Sequence, residues 1–274
     1  MVATPIGNLR DLTLRALDIL ASADVIAAED TRVTLPLLRR HGITTKPWSL
    51  HAHNEAEQSG AIVAALGQGR SVALVTDAGT PALSDPGARL VREVRAAGFR
   101  VVPIPGASAL ATALAAAGLR AATFAFLGFL PAQDKARRAL VEPLAALPMA
   151  LMVYEAPHRV RATVQWLHEM LGERDLVVAR ELTKVFETIA LVPLREAAAW
   201  LAAESNRERG EFVLIVDAPV DSAPIGVPPE AERWLRALVA ELPPARAARV
   251  VAQLTGAARD ACYARALALK DAGG

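Results

Sequence analysis

A single cysteine, Cys262, stands among 274 residues. It has no partner for an internal disulfide, so a reduced, cytoplasmic protein is expected. An excess of one charge is also missing: 30 Lys and Arg against 29 Asp and Glu leave a formal net charge of +1. No global basic field points to nucleic acid, although a local basic patch is enough for an RNA partner. No apolar run is long enough to span a bilayer, so no membrane association is expected. No secretory leader is expected either, because the chain enters its fold loops within a few residues of Met1. Only Met1, Val2 and Ala3 precede the first loop, which is short for a buried strand.

Several chemical signatures are absent too. Neither a Walker A loop nor the dinucleotide Gly-x-Gly-x-x-Gly follows any expected strand. Gly106-Ala107-Ser108-Ala109-Leu110 lacks the last glycine of a nucleophile elbow, which argues against a serine hydrolase. His51 and His53 alternate, but no Cys, His or Asp cluster completes a metal site, so no metal is expected. No internal repeat or low-complexity segment is found.

What is present is a 53% hydrophobic, 22% charged chain, long enough for one large domain or two modest ones. Residues 1–118 read as an α/β domain with a mostly parallel sheet. Strands are expected at 25–28, 46–50, 72–75 and 101–104, with helices at 11–21, 54–66 and 86–97. An Ala-rich helix follows Ser108, which can cap it. Asn54 and Glu57 resemble a capping box. Asp85 or Ser84 is the expected N-cap before Pro86, and Gly98 the expected helix stop. Residues 119–218 read as a second α/β domain, with strands at 124–130, 149–154, 176–179 and 212–216 and helices at 135–147, 158–171 and 194–203. Residues 219–229 read as a linker. Helices at 230–242, 245–254 and 260–270 then form either a helix-turn-helix-like appendage or a tail that covers the core or a dimer interface.

Polar clusters recur at the expected ends of buried strands, where ligands bind in open α/β sheets. Val72–Val75 runs into Thr76-Asp77-Ala78-Gly79-Thr80-Pro81. Glu29-Asp30-Thr31-Arg32, Tyr154-Glu155-Ala156-Pro157-His158-Arg159 and Arg180-Glu181-Leu182-Thr183-Lys184 close other strands, and Glu211 precedes the last one. Each is weak alone, since a solvated, self-paired loop has the same composition. Together they have little structural purpose. Lys135, Arg137 and Arg138 sit at an expected helix N-terminus, where cations oppose the dipole. A phosphate-bearing partner would explain them.

Thr4-Pro5-Ile6-Gly7-Asn8-Leu9, Ala28-Glu29-Asp30-Thr31-Arg32, Asp77-Ala78-Gly79-Thr80-Pro81, Pro105-Gly106-Ala107, Gly128-Phe129-Leu130-Pro131, Glu155-Ala156-Pro157-His158-Arg159 and Arg180-Glu181-Leu182-Thr183-Lys184 occur in that order. In this combination the chain resembles the tetrapyrrole methylase superfamily, and within it the branch acting on small-subunit ribosomal RNA. The likeness runs from Val2 to about Val216 and extends to the helical tail. It implies two α/β domains with S-adenosyl-L-methionine in the cleft between them, usually in a homodimer. It also implies methyl transfer to the ribose 2′-hydroxyl of a cytidine in the decoding region of small-subunit rRNA.

Position by position, the resemblance places Asp77, Gly79 and Thr80 at the amino-acid end of the cofactor. Gly106, Ala107 and Ser108 line the same pocket. Tyr154, Glu155 and Ala156 close over the adenosine, Glu211, Phe212 and Val213 contact the adenine, and Pro5 faces the cleft. A ribose hydroxyl is a poor nucleophile and gains from a general base. Candidates are Glu29, Asp30, Glu155, His158 and Glu181, with Glu29 and Glu155 first and Lys184 as an electrostatic helper. Arg32, Lys135, Arg137, Arg138 and Arg159 are the expected contacts to the RNA backbone. Two other readings compete: a methylase acting on a tetrapyrrole precursor, and a non-enzymatic RNA-binding or ribosome-assembly protein.

Overall fold

The computed structural model describes residues 1–219 and 227–271. Most of the expected linker, residues 220–226, lies outside the described residues.

The first half alternates helix and strand: α1 (Leu14–Ser22), β1 (Val25–Ala28), α2 (Thr31–Arg40), β2 (Trp48–Ser49), α3 (Glu55–Gly67), β3 (Val72–Val75), α4 (Ala88–Ala96) and α5 (Ala109–Ala117). The strands pair in parallel in the order β2-β1-β3. The first three residues extend this sheet: Val2 donates to the Leu74 carbonyl and bridges Ile104 in parallel. Val2 is fully buried, so a segment that looked too short for a strand takes an interior place. Alternation sorts the side chains by face. Ile26, Ala28, Ala73 and Val75 meet α1 and α2, while Ala27 and Leu74 meet α3 and α4.

Several local expectations are corrected. Residues 101–104 contribute one bridge, at Ile104, and not a regular strand. The helix α2 had no counterpart in the sequence reading, because Pro36 lies inside it and interior proline argues against helix. The N-cap of α4 is Gly87, at φ 127°, and not Asp85 or Ser84. A Cβ at Gly87 would meet Leu74 Cδ2 at 2.8 Å. The Asn54–Glu57 capping box does not form. Asn54 instead accepts from the His51 amide and donates to the Ser49 carbonyl. Glu55 Oε1 reaches across to accept from the amides of Gly87, Arg89 and Leu90, each at 3.1 Å, and so caps α4.

The second half holds β4 (Phe124–Phe129), α6 (Asp134–Val141), β5 (Ala150–Glu155), α7 (Val160–Leu171), β6 (Asp175–Arg180), β7 (Thr188–Pro193), α8 (Ala197–Ala202) and β8 (Phe212–Val216). The five-stranded sheet has the order β4-β5-β8-β6-β7. Only β4–β5 is parallel; the other pairs are antiparallel. The edge strand β7 was not expected, because its exposed Ile189 and Leu191 break the buried-strand pattern. One sheet face carries the larger core, against α6, α7 and α8. The other packs Ala150, Met152, Val177 and Val213 against Ala113 and Ala117 of α5. The last helix before the expected boundary at 118 is therefore covered by the second sheet.

The tail forms α9 (Pro229–Val239), α10 (Pro244–Thr255) and α11 (Arg259–Asp271) around its own core of Ala231, Leu235, Val251 and Cys262. Buried Arg265 grips Glu232 between α11 and α9.

Candidate active site

Three loops leave the carboxyl edge of the first sheet and are tied together. Thr4 and Gly79 exchange backbone hydrogen bonds of 2.9 and 3.0 Å. Thr4 Oγ1 donates to the Thr76 carbonyl at 3.0 Å, and Thr80 Oγ1 to the Ala107 carbonyl at 3.2 Å. Gly79, at φ 85°, makes the sharp exit from β3. Beyond it, Ala82 and Ser84 hold φ values of 69° and 70°. Such backbone costs about 1–3 kcal/mol per residue and clusters where function requires it. Ser108 caps α5 by accepting from the Ala111 amide, as expected.

Between the domains lies a cavity of about 310 Å³, within the range of small-molecule sites. Ile6, Gly79, Thr80, Leu83, Ser84, Asp85 and Ser108 form its first-domain wall. Phe129, Tyr154, Ala156, Leu182 and residues 211–213 form the other. The Tyr154 ring meets Phe126 and Phe129 edge-on, with centroids 4.8 and 5.7 Å apart. Phe129 remains 54% exposed, leaving an aromatic lip against which a flat ring can stack.

Gly79, Thr80, Ser108, Tyr154, Glu155, Ala156, Glu211, Phe212 and Val213 of the expected cofactor set lie on this cavity. Pro5, Gly106 and Ala107 stand behind it. Pro5 is buried, a Cβ on Gly106 would meet Ala3 Cβ at 2.9 Å, and Ala107 anchors Thr80. Asp77 faces a second pocket of about 450 Å³ at the ends of β1, β2 and β3, lined by Glu29, Asp30, Thr31, Arg32, Ser49, His51 and Asp77. His51 Nδ1 is buried there without a hydrogen-bond partner.

The two pockets share an acidic seam. Burial pushes Asp85 up to about 6, and the charges of Glu29 and Asp77 add to the effect. Glu29 is raised by burial and by Asp77. Asp77 is raised by partial burial, which outweighs the Asp30 amide donating to it at 2.9 Å. Asp30 goes the other way, to about 2, because the Arg32 guanidinium holds it at 2.6 Å.

Other expected residues have different occupations. Glu155 lies on the cavity wall, but its carboxylate is engaged within the second domain. Its side chain is fully buried, accepting from Thr163 Oγ1 at 2.5 Å and the Ala156 amide at 2.8 Å, with Arg159 3.4 Å away. Both carboxylate oxygens of Glu155 are thus held by donors of the protein itself. Arg159 also donates to the Leu130 carbonyl. His158 is exposed in the turn after β5. Lys184 Nζ bridges Glu181 at 2.8 Å and Glu211 at 2.9 Å. Burial alone would raise Glu181 and lower Lys184, but their pairing wins and both stay charged.

Arg137 and Arg138 do not oppose the α6 dipole unaided. Asp134 in the first turn pairs with both. Arg137 lies 4.2 Å above the Trp166 ring, whose Nε1 donates to Asp134. Lys135 is exposed and makes no ion pair among the described residues. Asp85, Ser84, Leu83, Ile6 and Leu182 were not expected in the site. Asp85 read as a helix cap, and the left-handed turn that aims it into the cavity leaves no mark on local pattern.

Among the described residues, no group of three or more His, Cys, Asp or Glu side chains is placed to hold a metal, and no helix is long and apolar enough to cross a membrane.

Residues 1–198 match the family described as Tetrapyrrole (Corrin/Porphyrin) Methylases, and residues 226–270 match the RsmI C-terminal HTH domain. The chain is 48% identical over 264 residues to ribosomal RNA small subunit methyltransferase I of Vibrio cholerae, covering 96% of this chain and 92% of that protein. It is 46% identical to the protein of the same name in Pseudomonas aeruginosa, covering 97% and 95%. Solved structures share the fold at low identity. Uroporphyrin-III C-methyltransferase from Thermus thermophilus, in complex with S-adenosyl homocysteine, matches with a TM-score of 0.55 at 19% identity, covering 79% of this chain and 95% of that one. Diphthine synthase matches with a TM-score of 0.60 at 12% identity, covering 79% and 88%.

Proposed function

The chain belongs to the tetrapyrrole methylase family, in its ribosomal RNA small subunit methyltransferase I branch, and from that premise we propose its reaction. It transfers a methyl group from S-adenosyl-L-methionine to the ribose 2′-hydroxyl of a cytidine in the decoding region of small-subunit rRNA. The observation that carries this reading is the near full-length likeness to rRNA methyltransferases, tail included.

The interdomain cavity suits the cofactor. Its size fits a small molecule, Phe129 and Tyr154 offer aromatic rings, and Gly79 adds no side chain to the wall. Residues 211–213 and Ala156 would hold the adenosine end, and Gly79, Thr80 and Ser108 the amino-acid end. The bound cofactor supplies a methyl made electrophilic by its sulfonium. The acidic seam favours that cation, since negative groups lie along the cavity edge. The protein's share of the rate is orientation, for which positioning supplies up to ~7–11 kcal/mol.

The second pocket would take the acceptor nucleotide. Arg32 at its rim and Lys135 outside are exposed cations suited to RNA phosphates. On the same reading the protein works in the cytoplasm as a homodimer. Exposed Val185, Phe186 and Leu191, at and beside the β7 edge, offer an apolar surface of the kind that pairs with another subunit.

Mass-spectrometric mapping of ribose methylation on small-subunit rRNA, with and without the protein, tests the reaction. A 2′-O-methylcytidine dependent on the protein is expected; its absence sinks the reading. Calorimetry with S-adenosylhomocysteine separates an enzyme from a non-enzymatic RNA binder.

A further inference from the structure

We propose that Asp85, a carboxylate on the wall of the cofactor cavity, is the proton acceptor of the reaction. This rests on the methyltransferase reading above. Asp85 lies on the cavity wall together with Ser84 and Tyr154. Its charge acts on Tyr154 of β5, and the charges of Glu29 and Asp77, at the ends of β1 and β3, act on it.

Competing carboxylates are already engaged. Glu155 is closed off by Thr163 and Arg159, Asp30 by Arg32, and Glu181 and Glu211 by Lys184. Asp77 accepts from the Asp30 amide. Asp85 makes no hydrogen bond or ion pair among the described residues. Glu29 also has no ion pair, but it does not line the cavity in which the methyl would be presented, whereas Asp85 does. Left-handed backbone at Ala82 and Ser84, with Gly87 at φ 127°, forms the turn that presents Asp85.

The chemistry balances with one base. As the 2′-oxygen bonds to the methyl carbon, the carbon–sulfur bond breaks and its electron pair stays on sulfur, leaving a neutral thioether. The hydroxyl proton moves to an Asp85 carboxylate oxygen and is later lost to water. Burial and the neighbouring carboxylates raise Asp85 to about 6, close to the pH at which a general base must work.

The test compares the wild type with Asp85→Asn on unmodified small ribosomal subunits, in single turnover. The expected loss is about 10²–10⁴-fold, with unchanged calorimetric affinity for S-adenosylhomocysteine. Transfer at the wild-type rate, or a loss explained by weaker cofactor binding, overturns the role. If Asp85→Asn does not fold, two measurements on folded protein decide. A ¹³C carboxyl titration of wild-type Asp85 near 6 is expected, and an ordinary carboxylate value overturns the proposal. Glu29→Gln removes a neighbouring charge, so the acid limb of kcat/KM moves to lower pH; an unmoved limb also overturns it. A wild type that binds S-adenosylhomocysteine but methylates no subunit defeats the underlying reading instead.

Discussion

Thr163 Oγ1 donates to Glu155 Oε2 at 2.5 Å, joining the end of β5 to the first turns of α7 with both side chains buried. The bond engages one carboxylate oxygen of an acid at a strand end in holding the second domain together. Thr163→Val would leave a buried carboxylate short of a donor, which costs about 1–3 kcal/mol. Urea unfolding should register that loss. Methyl transfer by the folded fraction should stay near the wild-type rate. A rate loss of 10²-fold without a stability change would return Glu155 to the chemistry.

The basic cluster on α6 divides by environment. Arg137 is 16% exposed and sandwiched by Trp166 and Asp134, whereas Lys135 projects into solvent. Arg137→Ala should cost about 1–2 kcal/mol through the lost cation–π contact, visible as a lower melting temperature. Lys135→Ala should leave the melting temperature alone and reduce the slope of log affinity against log salt by about 1. Filter binding to small-subunit rRNA across salt concentrations distinguishes them. The assignment fails if Lys135→Ala leaves the slope as it was.

Glu55 controls the loop that carries Asp85. Its carboxylate caps α4 through three amides, negative charge at the positive end of the helix. Glu55→Ala should cost about 1–2 kcal/mol, the upper range for a lost cap. It should also increase hydrogen exchange at Gly87, Arg89 and Leu90. Unchanged exchange at those amides would show that the cap is dispensable.

The parts legible in sequence were those with strong periodicity or named loops. β1, β3 and β8 are continuous apolar runs, and the polar clusters after strands do gather at two pockets. What escaped was long-range. Pro36 concealed α2, a partly exposed edge concealed β7, and the cap of α4 came from a residue 32 positions away. The settings of Glu155 and Asp85 are hidden for the same reason. Thr163 sets the one and a left-handed turn the other, and neither is a local pattern.

Asp85 makes a last prediction about stability. Its folded value of about 6 lies above the ordinary 3.8, so the native state holds this proton more tightly than the unfolded chain does. The resulting stabilisation is full below about pH 4 and fades as pH rises through about 6. At pH 8 the native protein carries a charge that burial and two neighbouring carboxylates disfavour. A shift of roughly two units is equivalent to ~3 kcal/mol, which solvent screening at a partly exposed site reduces to about 1 kcal/mol. Asp85→Asn has no charge to disfavour at any pH. It should melt roughly 2–4 °C higher than the wild type at pH 8, and no higher at pH 4. Scanning calorimetry at both values checks this. A variant that is more stable and yet unable to transfer methyl groups would mark Asp85 as held in an unfavourable state for the sake of reaction. A variant that melts lower at pH 8 would mean that the carboxylate is a structural anchor.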